Sequence, residues 1–459
     1  MNWKRSLAVL PLGAALLIPA NSVFGHGHDE ESDMEEGHGE YEVRVSTPAA
    51  DLRATLDQYL SEHAFLAVLT MQKGIEGAED FEATAGALSN NTDDLTGAIA
   101  SVYGDEAGEM FRGMWEDHIG YFVDYVTATA EEDEAGREAA LAELDNYRVD
   151  FSEFLESATE ERLEAGALAE GLQMHVDQLV WAFDNYNAGE FGTAYDNVSE
   201  AMEHMFGVGK GLSTAIVDQF DEDFEGSHPD TPAADLRADL NFLFSEHAAL
   251  AVVTMQKGID GAEDFESIAG SLNENTEELS AAIASVYGEE AGEAFNEQWS
   301  EHIGYFVDYV TATAEDDEMG KEEALENLDG YRATFSEFLE TATEERLDAT
   351  ELADGLQMHV NQLVGAFDSY VEGDYETTYE NVREAYGHMY GVGEGVSGAI
   401  VDQFPEKFES GMPSEMPKTG LGGMSDSNSM SPWYLYSIMT ILLAAGVVMI
   451  TRRKTSNQQ

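Results

Sequence analysis

Residues 47–224 recur at 231–408 without a gap, and this duplication limits the possible folds more than any other feature of the chain. Thr47-Pro48-Ala49-Ala50-Asp51-Leu52-Arg53 returns as Thr231-Pro232-Ala233-Ala234-Asp235-Leu236-Arg237. His118-Ile119-Gly120-Tyr121-Phe122-Val123-Asp124-Tyr125 returns unchanged at 302–309. Each copy has the length of one ordinary domain. The short run 225–230, Glu-Gly-Ser-His-Pro-Asp, reads as a hinge between them.

Each copy reads as helical. Leu52, Leu56, Tyr59, His63, Leu66 and Thr70 fall at spacings of three and four, as do Leu168, Leu172, His175, Leu179, Ala182 and Tyr186. Breaks near Gly74–Gly77, Gly104, Asp133–Gly136, Thr159 and Asn187–Gly189 divide the copy into six helices, beginning near residues 48, 80, 105, 136, 160 and 190. No alternating run is long enough to build a sheet. Short connections make sequential helices antiparallel, so the expected fold is all-α, two tandem up-and-down bundles of about six helices each.

The histidines are the chemically informative residues. The chain has 12, and eight of them form four repeat-related pairs: His63/His247, His118/His302, His175/His359 and His204/His388. Within a copy each falls on a different helix. His63, His118 and His175 lie about 13–15 residues into the first, third and fifth helices, which should run parallel; at 1.5 Å per residue the three rings share a height of about 20 Å. His204 falls near the middle of the antiparallel sixth helix. Four imidazoles at mid-height are expected to converge inside the bundle, where helical proteins build metal sites. The opposing reading is that each is a hydrogen-bonded core histidine.

The neighbouring residues restrict the metal. A di-iron site needs Glu-X-X-His, but Leu60, Trp115, Leu172 and Ala201 stand three residues before these histidines. Ala67, Phe122, Leu179 and Val208 stand four after, so no carboxylate shares the immediate face. Imidazole-only ligation suits copper first, with haem iron or zinc as alternatives. Tyr121 and Tyr125 flank His118, and Met71/Met255, Met174/Met358 and Met205/Met389 occur in both copies, a faint further hint of copper beside the plainer role of core filling. No set of nucleophile, base and orienting group stands out, so an enzyme is not expected. A separate candidate is His26-Gly27-His28 in the acidic segment 26–46. After cleavage behind Gly25, a free amine, two backbone amides and the third-position His28 imidazole would chelate square-planar copper or nickel.

The two ends predict export. Lys4 and Arg5 precede an apolar run from Leu7 to Ala20, followed by small residues up to Gly25, the pattern of a cleavable signal peptide over 1–25. At the other end, the spacer 409–432 contains Met416-Pro417-Lys418-Thr419-Gly420. An apolar run at 433–450 and a basic stop at 451–459, with Arg452, Arg453 and Lys454, follow it. This order resembles the sorting signal of Gram-positive surface proteins, Leu-Pro-X-Thr-Gly, with Met416 in place of Leu. The resemblance implies cleavage after Thr419 by a sortase and attachment of Thr419 to peptidoglycan. A plain C-terminal membrane anchor is the alternative.

Composition agrees with an exterior setting. Lys plus Arg number 21 against 92 Asp plus Glu, a net charge of −71, and there is no Cys. Such a surface repels nucleic acid, and neither disulfides nor thiolate metal sites are available. With 43% hydrophobic residues the chain can still build a core.

The stretches Trp115 to Tyr125 and Ala385-Tyr386-Gly387-His388-Met389-Tyr390 resemble a helical domain of secreted Gram-positive proteins, sometimes fused to a small domain labelled copper-amine-oxidase-like. That label does not carry oxidase chemistry here. The oxidase cofactor motif is Asn-Tyr-Asp/Glu, whereas Asn185-Tyr186 is followed by Asn187 and Asn146-Tyr147 by Arg148. The expectation is therefore a wall-anchored protein with two metal-binding helical modules, against an acidic structural or adhesive wall protein without a ligand.

Overall fold

The computed structural model describes residues 43–409. The signal peptide, the His26/His28 tract, the sorting motif 416–420 and the apolar tail 433–450 lie outside the described residues. Twelve α-helices run in chain order: α1 Pro48–Glu76, α2 Phe81–Tyr103, α3 Asp105–Ala130, α4 Glu134–Ala158, α5 Ala165–Ala188, α6 Phe191–Gln219, α7 Pro232–Asp260, α8 Phe265–Tyr287, α9 Glu289–Ala314, α10 Glu318–Ala342, α11 Ala349–Glu372 and α12 Tyr375–Gln403. Two short 3-10 turns, Asp221–Phe224 and Pro405–Lys407, follow α6 and α12. No strand occurs among the described residues. None of their helices is long and apolar enough to cross a membrane.

The helices group into two units, α1–α6 and α7–α12. Local chemistry sets the helix ends. The Thr47 hydroxyl accepts from the Ala50 N–H with Pro48 in the first turn, and Thr231 repeats this with Ala234. At the far end of α1, Gly77 adopts φ +62°, and the Gly77 and Ala78 N–H groups close onto the Gly74 and Lys73 carbonyls. A buried ion pair, Lys73 Nζ to Asp80 at 2.8 Å, ties this end of α1 to the start of α2. Lys257–Asp264 repeats it at 2.9 Å.

One feature departs from the expected single apolar face. Every residue from Leu60 to Lys73 in α1 is buried, and every residue from Leu240 to Lys257 in α7. In the first unit, α1 contacts α2, α3, α5 and α6, while α2 through α6 contact each other in sequence. The first helix of each unit is thus an inner helix wrapped by the others, and a helix buried on all sides shows only a weak amphipathic stripe. Its polar side chains need partners. Asn91 on α2 donates to the Glu62 carboxylate at 2.7 Å and to the Tyr59 carbonyl at 2.9 Å, and Asn275 does the same for Glu246 and Leu243.

Glycines permit the closest approaches. A Cβ on Gly108 would stand 2.8 Å from the Ala100 Cβ, and one on Gly292 would stand 2.6 Å from that of Ala284. Gly113, also on α3, faces open space. Gly108→Ala should therefore destabilise residues 43–409 by about 1–3 kcal/mol through overpacking. Gly113→Ala should stabilise by about 0.5–1 kcal/mol through helix propensity. Equilibrium urea unfolding of the two variants checks the contrast, and equal effects would contradict the close α2–α3 packing.

Candidate metal centre

In the first unit the parallel helices α1, α3 and α5 bring His63, His118 and His175 together at one level. The His63 ring centroid lies 5.3 Å from that of His118 and 6.0 Å from that of His175. The second unit repeats the arrangement, with His247 at 5.4 Å from His302 and 6.0 Å from His359. Potential ligand nitrogens of His247, His302 and His359 all lie within 4.8 Å of one another. The six side chains are buried, none more than 5% exposed.

His204 and His388 do not join the trio. Their Nε2 atoms are taken by the carbonyls of Gly171 at 3.0 Å and Gly355 at 3.1 Å, on the neighbouring helices α5 and α11. Both rings are less deeply held than the other six. The expected four-histidine convergence therefore contracts to three histidines and a fourth that bonds the backbone close by. The reason is placement: α6 approaches α5 at a carbonyl that sequence spacing does not reveal.

The hydrogen bonding of the trio is incomplete. His118 Nε2 meets His63 Nε2 at 3.3 Å, and His302 meets His247 at 3.4 Å. One imidazole of each pair must donate while the other accepts, so at most one lone pair is satisfied. His175 has no partner at either ring nitrogen, and the Nδ1 atoms of His63, His247 and His359 have none. The backbone of Trp115, three residues earlier, lies near His118, as that of Trp299 does near His302, without meeting hydrogen-bond geometry at Nδ1. Buried ring nitrogens without a partner are a condition that an ion would relieve.

An aromatic wall closes one side. The Trp115 ring lies 4.7 Å from His63 and 4.6 Å from His118. Tyr147 of α4 stacks on His118 at 4.7 Å with 13° between planes, and Tyr331 stacks on His302 at 5.0 Å. Tyr147 and Tyr331 were not among the sequence candidates, because they sit on a helix that contributes no histidine. Trp115 had a signal, one turn before His118 on the same face. Tyr125, which did flank His118 in sequence, is engaged elsewhere: its hydroxyl donates to Asp184 and accepts from Arg137. Of the methionine pairs, Met174 and Met358 are largely solvent-exposed, whereas Met71 and Met255 share a pocket wall with His63 and His247.

Burial keeps the imidazoles neutral. Desolvation pushes His118, His175 and His302 down to about 3, and lowers His63, His247 and His359 well below 6.5, with neighbouring histidines adding repulsion. No carboxylate contributes to any of these shifts, although the chain carries 92 acidic residues. Neutral rings present lone pairs, as ligation requires.

The sign of the pH dependence follows. Below about 6.5 the unfolded histidines bind protons that the folded ones refuse, so the unfolded state holds more protons and stability rises with pH. The metal-free protein should lose stability as pH drops from 6.5 to 5, a window above most carboxylate titration. Replacing His175 and His359 together by Gln should flatten that slope, measured by urea unfolding at several pH values. An unchanged slope would mean that these rings titrate alike in both states.

Compared with protein-family models, with curated proteins and with solved structures, the chain finds no match in any of the three.

Proposed function

We propose that the chain is a cell-wall surface protein whose two helical modules each hold one copper ion on three buried histidines. The observation that carries the copper reading is the convergence of His247, His302 and His359, with ligand atoms within 4.8 Å of one another, together with its counterpart His63, His118 and His175. A three-imidazole set with neither carboxylate nor thiolate suits copper or zinc. Charge favours copper in its monovalent state. The cost of burying an ion scales with the square of its charge, about fourfold less for a monovalent than for a divalent cation. Here no carboxylate is among the causes that shift the six rings, so little offsets that cost. Haem fits less well, because rings 5.3–6.0 Å apart leave no space for a macrocycle between them.

The test is stability and stoichiometry. A ligand that binds only the folded state adds about 2.7 kcal/mol at one hundred times its Kd. Under anaerobic conditions Cu(I) should raise the melting temperature of residues 43–409 and load two ions per chain. His175→Gln should remove one ion and His359→Gln the other, while His228→Gln in the 225–230 connection should remove neither. Zinc should give a smaller shift. No shift with copper, zinc or haem in the folded protein would instead support structural histidines and an acidic wall protein without a ligand.

The location at the wall rests on the sequence of the two ends. Deleting 433–459 should release the chain into the medium, while the intact gene product should be recovered joined to peptidoglycan at Thr419. Recovery of a membrane-extractable chain still containing Trp433 would favour a simple membrane anchor.

A further inference from the structure

A pocket reaches the histidines, and Trp115, Tyr147, Trp299 and Tyr331 do not line it. In the second unit a cavity of about 30 Å³ is bordered by the rings of His247 and His302, by Phe306, and by Ala251 and Met255 of α7. In the first unit the corresponding space, about 720 Å³ in all, is lined by His63 but not by His118 or His175, passes Ala67 and Met71, and reaches the exposed Glu82, Glu116 and Glu131. His63 and Gly77 mark its two ends along α1, a path of about 21 Å at 1.5 Å per residue.

In the second unit the walls offer a ligand no free polar group next to the rings. Thr70 and Thr254 line the pocket, but each hydroxyl donates to a backbone carbonyl one turn earlier, Leu66 and Leu250, at 2.7 Å. A space that small and apolar is unfavourable for water, which needs two or more polar partners. What the two units share is therefore room for one small uncharged molecule beside the imidazole of the first helix, His63 or His247. The much wider outer part is peculiar to the first unit and so does not define the common ligand. A long-chain lipid or a macrocycle has no place in the second.

Resting on the copper reading above, we infer that the pocket admits a neutral diatomic molecule, of the class of dioxygen, nitric oxide or carbon monoxide, to an open coordination position on each copper. Three imidazoles leave a fourth position available. The pocket is the space left for it, because Trp115 and Tyr147 pack against the rings and neither lines the pocket. Cu(I) binds such ligands without a change in charge, and the second unit's pocket, whose lining holds no carboxylate, suits a neutral cargo as it would not suit an anion.

Carbon monoxide is the probe. Residues 43–409 are first loaded anaerobically with Cu(I), and the metal content is measured. Carbon monoxide should then give an infrared C–O band at about one molecule per copper. Ala67 and Ala251 lie one turn from His63 and His247 on the pocket wall. Ala67→Phe should keep both coppers and lose half of the band, and Ala251→Phe should lose the other half. If either variant drops its copper, Val126→Phe and Val310→Phe, farther along the same walls, must weaken carbon monoxide binding at least tenfold with copper retained. Copper bound with no C–O band in the unaltered protein overturns this inference and leaves the copper reading intact. A band unaffected by all four substitutions overturns it as well, since the ligand would then reach the metal by another route. Failure of the protein to hold copper at all is a different result, and it removes the reading on which the inference rests.

Discussion

The burial of one helix on every side governs each unit. α1 cannot leave water unless α2, α3, α5 and α6 all pack against it, so its environment is set by four neighbours at once. Each fully buried Leu or Phe on it contributes roughly 1.5–3 kcal/mol. The polar residues it carries, Glu62 and Lys73 among them, are tolerable only because α2 supplies Asn91 and Asp80 at hydrogen-bonding distance. Losing one partner of a buried charge costs about 3–5 kcal/mol, more than most apolar contacts return. The inner helix therefore specifies register as well as stability, and the register decides which side chains meet at its middle.

His63 sits at that middle, and its position explains the chemistry. A histidine on an outer helix can turn an edge to solvent or to a carbonyl, as His204 does with Gly171. A histidine on the inner helix has nowhere to turn except to groups brought by its neighbours. α3 and α5 bring His118 and His175, and α4 brings Tyr147, a stacked ring that desolvates His118 further. The same burial that depresses the imidazole pKa values holds the lone pairs ready. A chain with net charge −71 thus encloses, twice, a spot to which none of its carboxylates contributes.

The acidic exterior and the neutral interior are separate devices. The exterior carboxylates attract cations loosely and keep the chain soluble. The interior, under the proposed reading, would discriminate by ligand type and by the cost of burying charge. A cation concentrated at the surface would still have to shed water and cross an apolar wall to reach the histidines.

The duplication and the 3.6-residue periodicity were enough to read an all-α fold. Local signals such as Gly77, Gly104 and Gly189 located helix ends within a few residues, because glycine turns are decided by nearby chain. The height argument was legible too: parallel helices of similar length put His63, His118 and His175 at one level through rise per residue alone. Only the tertiary structure decided the rest. That α1 lies inside the others follows from how four helices share space around it, and its low amphipathicity reads equally well as a weak stripe. That His204 bonds the Gly171 carbonyl, that Tyr147 from a histidine-free helix covers His118, and that an apolar pocket stops at the rings all depend on the angle at which helices approach. Those angles are set by side-chain packing between segments far apart in the chain, which spacing along one helix does not encode.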